Sequence, residues 1–220
     1  MLAPGPKRGQ ARTRLARAAV VDAARRLFLE RGYGATTVEA ISAEADVPLA
    51  TLYRLFASKH GILKALLDVS IVGDDEDVPM ADRPRVRALL DTGDPHEQLA
   101  GFVRLIAEVN QRVVPLYRIL VGAAGSDPDA AALLDRLTEQ RAEGQRAIAR
   151  SLARAGALAP GIRERDAADV IHALMSPELY RLLVFDRGWR TDRYEGWLAD
   201  LLSDQLLGHD ERPETVTRGE

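Results

Sequence analysis

The stretch Thr36–Lys59 reads TTVEAISAEADVPLATLYRLFASK and contains two short segments in which apolar residues recur at helical spacing. Only Asp46 and Val47 separate the two segments, which is too short a break to hold another element. The two helices must therefore pack directly against each other. Two helices joined by a tight turn are typical of a helix-turn-helix, whose second helix enters the major groove of DNA.

Residue types at the ends of these segments predict where each helix begins. Thr37 can cap a helix over Val38–Ala45, because a threonine hydroxyl accepts from the free N–H groups of a first turn. Pro48 suits the first turn of the next helix, which runs to Phe56, since proline has no N–H to leave unpaired there. Ser58 can cap a fourth helix in the same way.

Helical periodicity continues on both sides of this stretch, and no convincing run alternates with the period of two that marks a strand. Further helices are predicted at residues 11–31, 99–113, 116–121, 129–157, 165–185 and 192–207, with Pro115 breaking or kinking the helix before residue 116. The sequence therefore predicts an all-α fold with about nine helices.

The chain of 220 residues divides at an acidic, proline-bearing loop over residues 73–84. We predict a flexible basic arm at 1–10, a helix-turn-helix domain at 11–72, a larger helical domain at 85–207, and a disordered tail at 208–220.

The net charge of −3 is unevenly distributed along the chain. Residues 1–70 contain eleven Lys and Arg against six Asp and Glu, whereas the remainder contains nineteen against twenty-seven. A basic front joined to an acidic back indicates polyanion binding confined to the front. Compositional bias is the alternative, because 27 of the 30 basic residues are arginine.

Composition excludes several other classes of protein. No apolar run approaches the roughly 18 residues of a membrane span, and no secretory signal follows the basic N-terminus, so a cytoplasmic protein is expected. The absence of cysteine excludes disulfides and thiolate metal sites. The four histidines lack metal-ligand spacing, and no glycine-rich phosphate loop or nucleophile elbow is present. We therefore predict no catalytic residue, no metal site and no cofactor.

The order Gly-Tyr-Gly, Thr-Thr-Val, Ile-Ser-x-Glu-Ala, a two-residue turn and Thr-Leu-Tyr-x-x-Phe-x-Ser-Lys resembles the N-terminal DNA-binding domain of the tetracycline-repressor (TetR) family over residues 12–67. The family commonly has glycine where Asp46 and Ala50 stand, and serine or threonine where Pro48 stands. His60 replaces an acid. Aspartate is among the residues that tolerate the left-handed backbone that the turn requires.

The resemblance implies phosphate contacts for Thr37, Tyr53 and Lys59. Periodicity adds that, if Leu52 and Phe56 face the core, the opposite face of the third helix meets DNA. The predicted interface consists of Thr37, Pro48, Leu49, Ala50, Thr51, Tyr53, Arg54, Lys59 and His60. Roles without DNA contact stay open as alternatives: Thr37 as a helix cap only, Tyr53 as a half-buried aromatic residue of the core, and Lys59 as a solvated surface lysine.

The middle and C-terminal helices supply weaker predictions. An effector pocket is predicted from Phe102, Ile106, Asn110, Tyr117, Leu120, Val121 and His172. A dimer interface is predicted from Met175, Leu179, Leu182, Leu183, Trp197, Leu198, Leu201 and Leu202. For the apolar members of both sets, packing in the core of the chain is the alternative.

The resemblance implies that residues 85–207 form a ligand-binding and dimerisation domain. It also implies a homodimeric regulator, most often a repressor in that family, that binds a palindromic double-stranded operator and is released by a small-molecule effector. Two alternatives stay open. One is a helical ligand carrier or enzyme with a vestigial DNA-binding module, and the other is a module whose third helix meets a partner protein.

Overall fold

The fold was analysed in a computed structural model, which describes residues 8–73 and 80–208. Its helices are α1 (Arg8–Ala35), α2 (Val38–Ala45), α3 (Leu49–Phe56), α4 (Lys59–Val72), α5 (Pro84–Leu90), α6 (Pro95–Ala124), α7 (Pro128–Arg154), α8 (Glu164–Leu174), α9 (Pro177–Tyr180) and α10 (Thr191–Leu206). A 3₁₀ turn at Met80–Asp82 precedes α5, and a π-helical segment at Arg181–Asp186 continues α9. The described ranges contain no strand, only an isolated bridge between Leu158 and Leu207. The predicted all-α fold is confirmed.

The chain forms two compact units. One comprises Met1–Asp77 with Glu108–Glu139, and the other comprises Val78–Ala107 with Gln140–Glu220. Helices α6 and α7 thus contribute to both units. The predicted domain boundaries stay a prediction, as do the parts of the predicted arm, loop and tail that fall on residues 1–7, 74–79 and 209–220, outside the described residues.

The first unit has a core built mainly from the inner faces of α1 to α4. Phe28, Ile41, Leu52, Ile62 and Leu63 have none of their surface exposed. Fully burying side chains of this size contributes about 1.5–3 kcal/mol each. The same cluster includes Val113, Leu116, Leu120, Ala130 and Leu133 from α6 and α7. Helices of eight residues are unstable on their own in water, so α2 and α3 depend on this packing for their stability.

The second unit has its own core, to which α8 and α10 contribute. Tyr180 and Tyr194 are almost fully buried, with ring centroids 4.9 Å apart and the rings near perpendicular. Leu198 and Leu202 of α10 and Met175 are also buried, each with at most 1% of its surface exposed. Aromatic and leucine side chains therefore form much of the core of this unit.

The structure differs from two predicted helix boundaries. Helix α6 continues through Pro115 to Ala124 without a break, although proline removes one helical N–H donor, and a kink at Pro115 stays a prediction. The helix predicted over 165–185 is interrupted after α8, because the Ser176 hydroxyl accepts from the N–H of Leu179 and Pro177 begins a new turn. A serine followed by proline indicates the start of a helix, but apolar residues at helical spacing on both sides favoured one continuous helix instead.

Candidate nucleic-acid interface

The two threonines before α2 have different roles. Thr37 caps the helix, because its Oγ1 accepts from the Ala40 N–H at 3.1 Å. Thr36 is fully buried, and its hydroxyl donates to the carbonyls of Gly32 at 2.8 Å and Leu27 at 3.2 Å. Thr36 therefore ties the start of α2 to α1, while Thr37 stays exposed at the helix N-terminus.

The turn between α2 and α3 is left-handed at Asp46, with φ 51° and ψ 41°. The side chain of Ser42 donates to the Val47 carbonyl at 2.6 Å, and the Val47 N–H donates back to the Ser42 carbonyl at 3.2 Å. This reciprocal pair fixes the turn. The expectation that aspartate tolerates the position usually given to glycine is confirmed.

Helix α3 has two distinct faces. Leu52 and Phe56 are buried, whereas Pro48, Ala50, Tyr53 and Arg54 are exposed. Thr51 and Leu49 are half-buried at the edge. The exposed face combines apolar and cationic groups, the chemistry that meets thymine methyl groups, guanine edges and phosphates.

A strained turn joins α3 to α4. Ala57 has φ 63° and ψ −37°, and the Ser58 N–H donates to the Phe56 carbonyl at 2.8 Å, which closes a γ-turn of the rare, strained kind. This conformation is unusual for a residue with a Cβ atom. The Ser58 hydroxyl then caps α4 by accepting from the Gly61 N–H at 3.1 Å. A methyl group at Gly61 would lie 1.9 Å from the Phe56 carbonyl oxygen. The junction is therefore a tight backbone contact.

Lys59 forms internal hydrogen bonds. Its Nζ donates to the carbonyls of Tyr33 at 2.9 Å and Thr36 at 3.1 Å, and it lies 4.2 Å from the centroid of the Tyr33 ring. An ammonium group has three donors, so one donor is left beyond these two bonds. Lys59 binds the end of α1 and the start of α2, and its predicted phosphate contact stays a prediction.

The other basic residues near this junction, His60 and Arg17, differ in their surroundings. Nε2 of His60 lies 3.5 Å from Nη2 of Arg136, and Nδ1 of His60 is buried without a hydrogen-bond partner in the described part of the chain. Arg17 of α1 lies over the Phe56 ring, with Cζ 4.9 Å from the ring centroid. Arg17 was not predicted as part of the interface, because nothing in the sequence pattern relates it to a residue so far along the chain.

An open groove of about 540 Å³ lies in the first unit. It is lined by Gly32, Tyr33, Gly34, Lys59, Arg118, Ile119, Gly122, Ala123, Ser126 and Asp127. Burial, followed by the nearby Asp127 and Asp129 carboxylates, raises the pKa of the Tyr33 phenol to about 12. The Tyr33 phenol is therefore neutral near pH 7. None of the residues predicted to form the effector pocket lines this groove.

The predicted effector residues are divided between the two units. Phe102, Ile106 and His172 belong to the second, and Asn110, Tyr117, Leu120 and Val121 belong to the first. Leu120 is fully buried in the core of the first unit, and Val121 is 47% exposed. The effector pocket stays a prediction.

His172 lies in a polar cluster between α7 and α8. Its Nδ1 is 2.7 Å from Oε1 of Gln145, and its Nε2 is 3.0 Å from Nη2 of Arg141, which also donates to the His172 carbonyl at 2.8 Å. Since arginine can only donate, Nε2 accepts and the Nδ1–H donates to Gln145. Burial, and then the Arg141 charge, lower the pKa of His172. The imidazole is therefore held neutral.

The predicted dimer residues include both interior and surface positions. Met175, Leu198 and Leu202 are buried within their own unit, and Leu179, Leu183, Trp197 and Leu201 are half-buried. Leu182 and Phe185 are 44% and 42% exposed on the π-helical segment. Phe185 was not among the predicted residues.

Among the described residues, no three His, Asp or Glu side chains come together as a metal-binding group. In the same ranges, no helix has the length and apolar content needed to cross a membrane.

Residues 20–66 match the family of bacterial regulatory proteins described as the tetR family. These residues extend from α1 through α4 and contain the helix pair described above. Over this part the chain is similar to the TetR family. Over 48 residues it is 44% identical to an uncharacterized HTH-type transcriptional regulator, YvkB, of Bacillus subtilis (strain 168). That alignment covers 22% of this chain and 25% of the relative, so it spans about a quarter of the length of this curated relative.

Several solved structures share the fold over most of the chain. A TetR-family regulator from Mesorhizobium loti has a TM-score of 0.66 and 16% identity, covering 89% of this chain and 98% of that chain. A complex of SmeT with triclosan has a TM-score of 0.68 and 18% identity, covering 89% and 93%. A transcriptional regulator from Saccharomonospora viridis in complex with choline has a TM-score of 0.65 and 20% identity, covering 87% and 97%. At these identities the likeness concerns the fold.

Proposed function

We propose that this chain is a TetR-family transcriptional regulator that binds a palindromic DNA operator as a homodimer and is released by a small-molecule effector. The observation that carries the proposal is the capped, tightly packed helix pair α2–α3, whose outer face exposes Tyr53 and Arg54. A second helix of this kind fits the major groove, which is about 12 Å wide.

The outer face of α3 favours recognition of bases through apolar contacts. Pro48, Leu49 and Ala50 have no polar side-chain atoms, so bidentate recognition of guanine or adenine is left to Arg54. Leu49 and Ala50 read thymine methyl groups by contact, and Thr51 adds a hydrogen bond. Thr37 and Tyr53 contact phosphates beside the groove, where the N-terminus of α2 adds backbone donors.

Helix α4 offers a route by which an effector acts on the DNA-binding helices. The Arg112 side chain of α6 donates to the carbonyls of Ser70 at 2.9 Å and Ile71 at 3.3 Å, near the C-terminus of α4. At the other end of α4, Lys59 bonds to the start of α2. An effector that favours one position of α6 would shift α4, and it lowers operator affinity by its differential binding to the two states.

The proposed dimer places Leu182 and Phe185 at the centre of its contact. They are large exposed apolar residues on one short segment, as expected for a surface covered by a second copy. The neighbouring half-buried leucines and Trp197 extend this apolar surface. Two-fold symmetry of the dimer then matches a two-fold symmetric operator.

A gel-shift titration tests the proposal with DNA taken from immediately upstream of the coding sequence. The wild-type chain should shift this duplex at lower concentration than a scrambled duplex of the same composition. Equal affinity for both duplexes would contradict the proposal of sequence-specific regulation. The α2–α3 pair would then be explained as a vestigial DNA-binding module.

A base substitution tests the reading surface more sharply. Replacing thymine by uracil removes one methyl group, so the wild type should bind the substituted operator more weakly at one position in each half-site. Leu49→Ala should be nearly indifferent to that change. Equal sensitivity of both proteins at every thymine would exclude Leu49 from base contact.

A further inference from the structure

The cation–aromatic pair between α1 and the end of α3 places one arginine beside the recognition helix. Cζ of Arg17 lies 4.9 Å from the centroid of the Phe56 ring. Phe56 is the last residue of α3 and is 7% exposed, whereas Arg17 itself is exposed. A guanidinium over an aromatic face is attracted by the negative charge density of that face. The contact therefore fixes the position of the Arg17 charge relative to α3.

The hydrogen-bonding capacity of Arg17 is still available. Stacking uses the flat face of a guanidinium, while its N–H donors lie in the plane at its edge. Within the described residues Arg17 has no hydrogen-bonded or ion-paired partner, whereas Arg26 on the same helix binds both Asp22 and Glu44. The Arg17 charge is therefore held in place without being neutralised.

We propose that Arg17 binds a phosphate of the DNA backbone beside the groove that α3 enters. The inference rests on the proposed function. Phe56 lies three residues after Tyr53 on α3, so the ring that positions Arg17 is less than one helical turn from a residue of the exposed face. A phosphodiester presents two anionic oxygens, which match the paired donors of a guanidinium better than they match an ammonium.

Salt dependence of DNA binding tests the assignment. The probe is a mixed-sequence duplex of about 40 base pairs, because non-specific binding consists almost entirely of phosphate contacts. Fluorescence anisotropy is measured at several salt concentrations for the wild type, Arg17→Gln, Arg17→Lys and Arg104→Gln. Arg104 is an exposed arginine of α6 that has no partner among the described residues, so its variant removes the same charge outside α1–α4.

In Arg17→Gln, the slope of log affinity against log salt should become less negative by about 0.9 for each phosphate that Arg17 neutralises in the wild type. Arg17→Lys should keep a slope close to that of the wild type but bind more weakly, because a lysine keeps the charge without the planar fork. Arg104→Gln should match the wild type in both respects.

Several outcomes would overturn the assignment. An unchanged slope in Arg17→Gln, even with a lower melting temperature, would leave Arg17 with a packing role only. An equal change of slope in the Lys and Gln variants would exclude a charge contact. If the wild type binds no duplex at any salt concentration, the proposed function fails and the role of Arg17 fails with it; a wild type that binds while Arg17→Gln keeps its slope refutes the Arg17 role alone.

Discussion

Replacing Gly61 by alanine should distort the joint between the recognition helix and α4. The added Cβ would lie 1.9 Å from the Phe56 carbonyl oxygen and 3.0 Å from its carbon. Both are backbone atoms, so no side-chain rotation relieves the contact. The two groups must separate by at least about 1.1 Å to reach the 3.0 Å below which real Cβ atoms are essentially never found. That movement must be absorbed by Ala57, which is already in a strained γ-turn.

Two opposing effects set the magnitude. Alanine is favoured over glycine in a helix interior by up to about 1 kcal/mol, and less in the first turn, where Gly61 lies. Overpacking a rigid contact costs about 1–3 kcal/mol, and more where the backbone must move. The steric cost should therefore dominate, with a net loss of about 2 kcal/mol in the free energy of unfolding. For a chain of this size such a loss lowers the melting temperature by about 4–8 °C.

Circular dichroism during heating measures the effect, with Gly144→Ala as the matched control. Gly144 lies within α7, is exposed, and has nothing within 4 Å of the position where a Cβ atom would lie. Alanine there should raise the melting temperature by about 2–4 °C through helix propensity alone. The reasoning would be refuted if Gly61→Ala were as stable as Gly144→Ala. DNA binding should fall in Gly61→Ala only, because the strain is next to α3.

Three further predictions concern other contacts. Lys59→Met keeps the length of the side chain but leaves two carbonyls without their donor, so the free energy of unfolding should fall by about 1–3 kcal/mol in urea titrations; no loss would show that water replaces the ammonium at no cost. Leu182→Glu should shift sedimentation from dimer to monomer while circular dichroism stays unchanged, since Leu182 is 44% exposed within its own subunit, and an intact dimer would place the contact elsewhere. The pKa of His172 is lower in the folded chain than in the unfolded chain, so the unfolded chain binds the proton more readily. The contribution of His172 to the free energy of unfolding is therefore fully present above about pH 6.5 and is lost as the pH falls below that value. The urea midpoint of His172→Gln should therefore change less between about pH 7.5 and pH 5.5 than that of the wild type, and equal changes would assign the pH dependence to other groups.

Local signals were sufficient to predict the helix-turn-helix. Thr37, Asp46, Pro48 and Ser58 each act on a backbone no more than three residues away, so their residue types predicted the ends of α2, α3 and α4. The two faces of α3 followed from the helical period, because Leu52 and Phe56 are the residues that the core buries.

Contacts between distant residues could not be predicted in this way. Lys59 bonds to a carbonyl 26 residues earlier, and Arg17 meets a ring that only the packing of α1 on α3 brings near it. The break at Ser176 was missed because apolar periodicity on both sides outweighed one start signal. The π-helical segment that carries Leu182 and Phe185 was also not predicted, because its period differs from the α-helical one used to assign faces.

The internal bonds of Lys59 also make its reactivity a reporter of local opening. Lysine occurs only at positions 7, 59 and 64, and an amine must lose its proton and its hydrogen bonds before it attacks an acylating reagent. Lys59 is half-buried and bonded to two carbonyls, so it should react slowly, whereas Lys64 is exposed and bonded only to the exposed Asp68 carboxylate, so it should react faster. The ratio of the two rates, read by mass spectrometry, therefore measures how often the start of α4 detaches from α1 in the native protein.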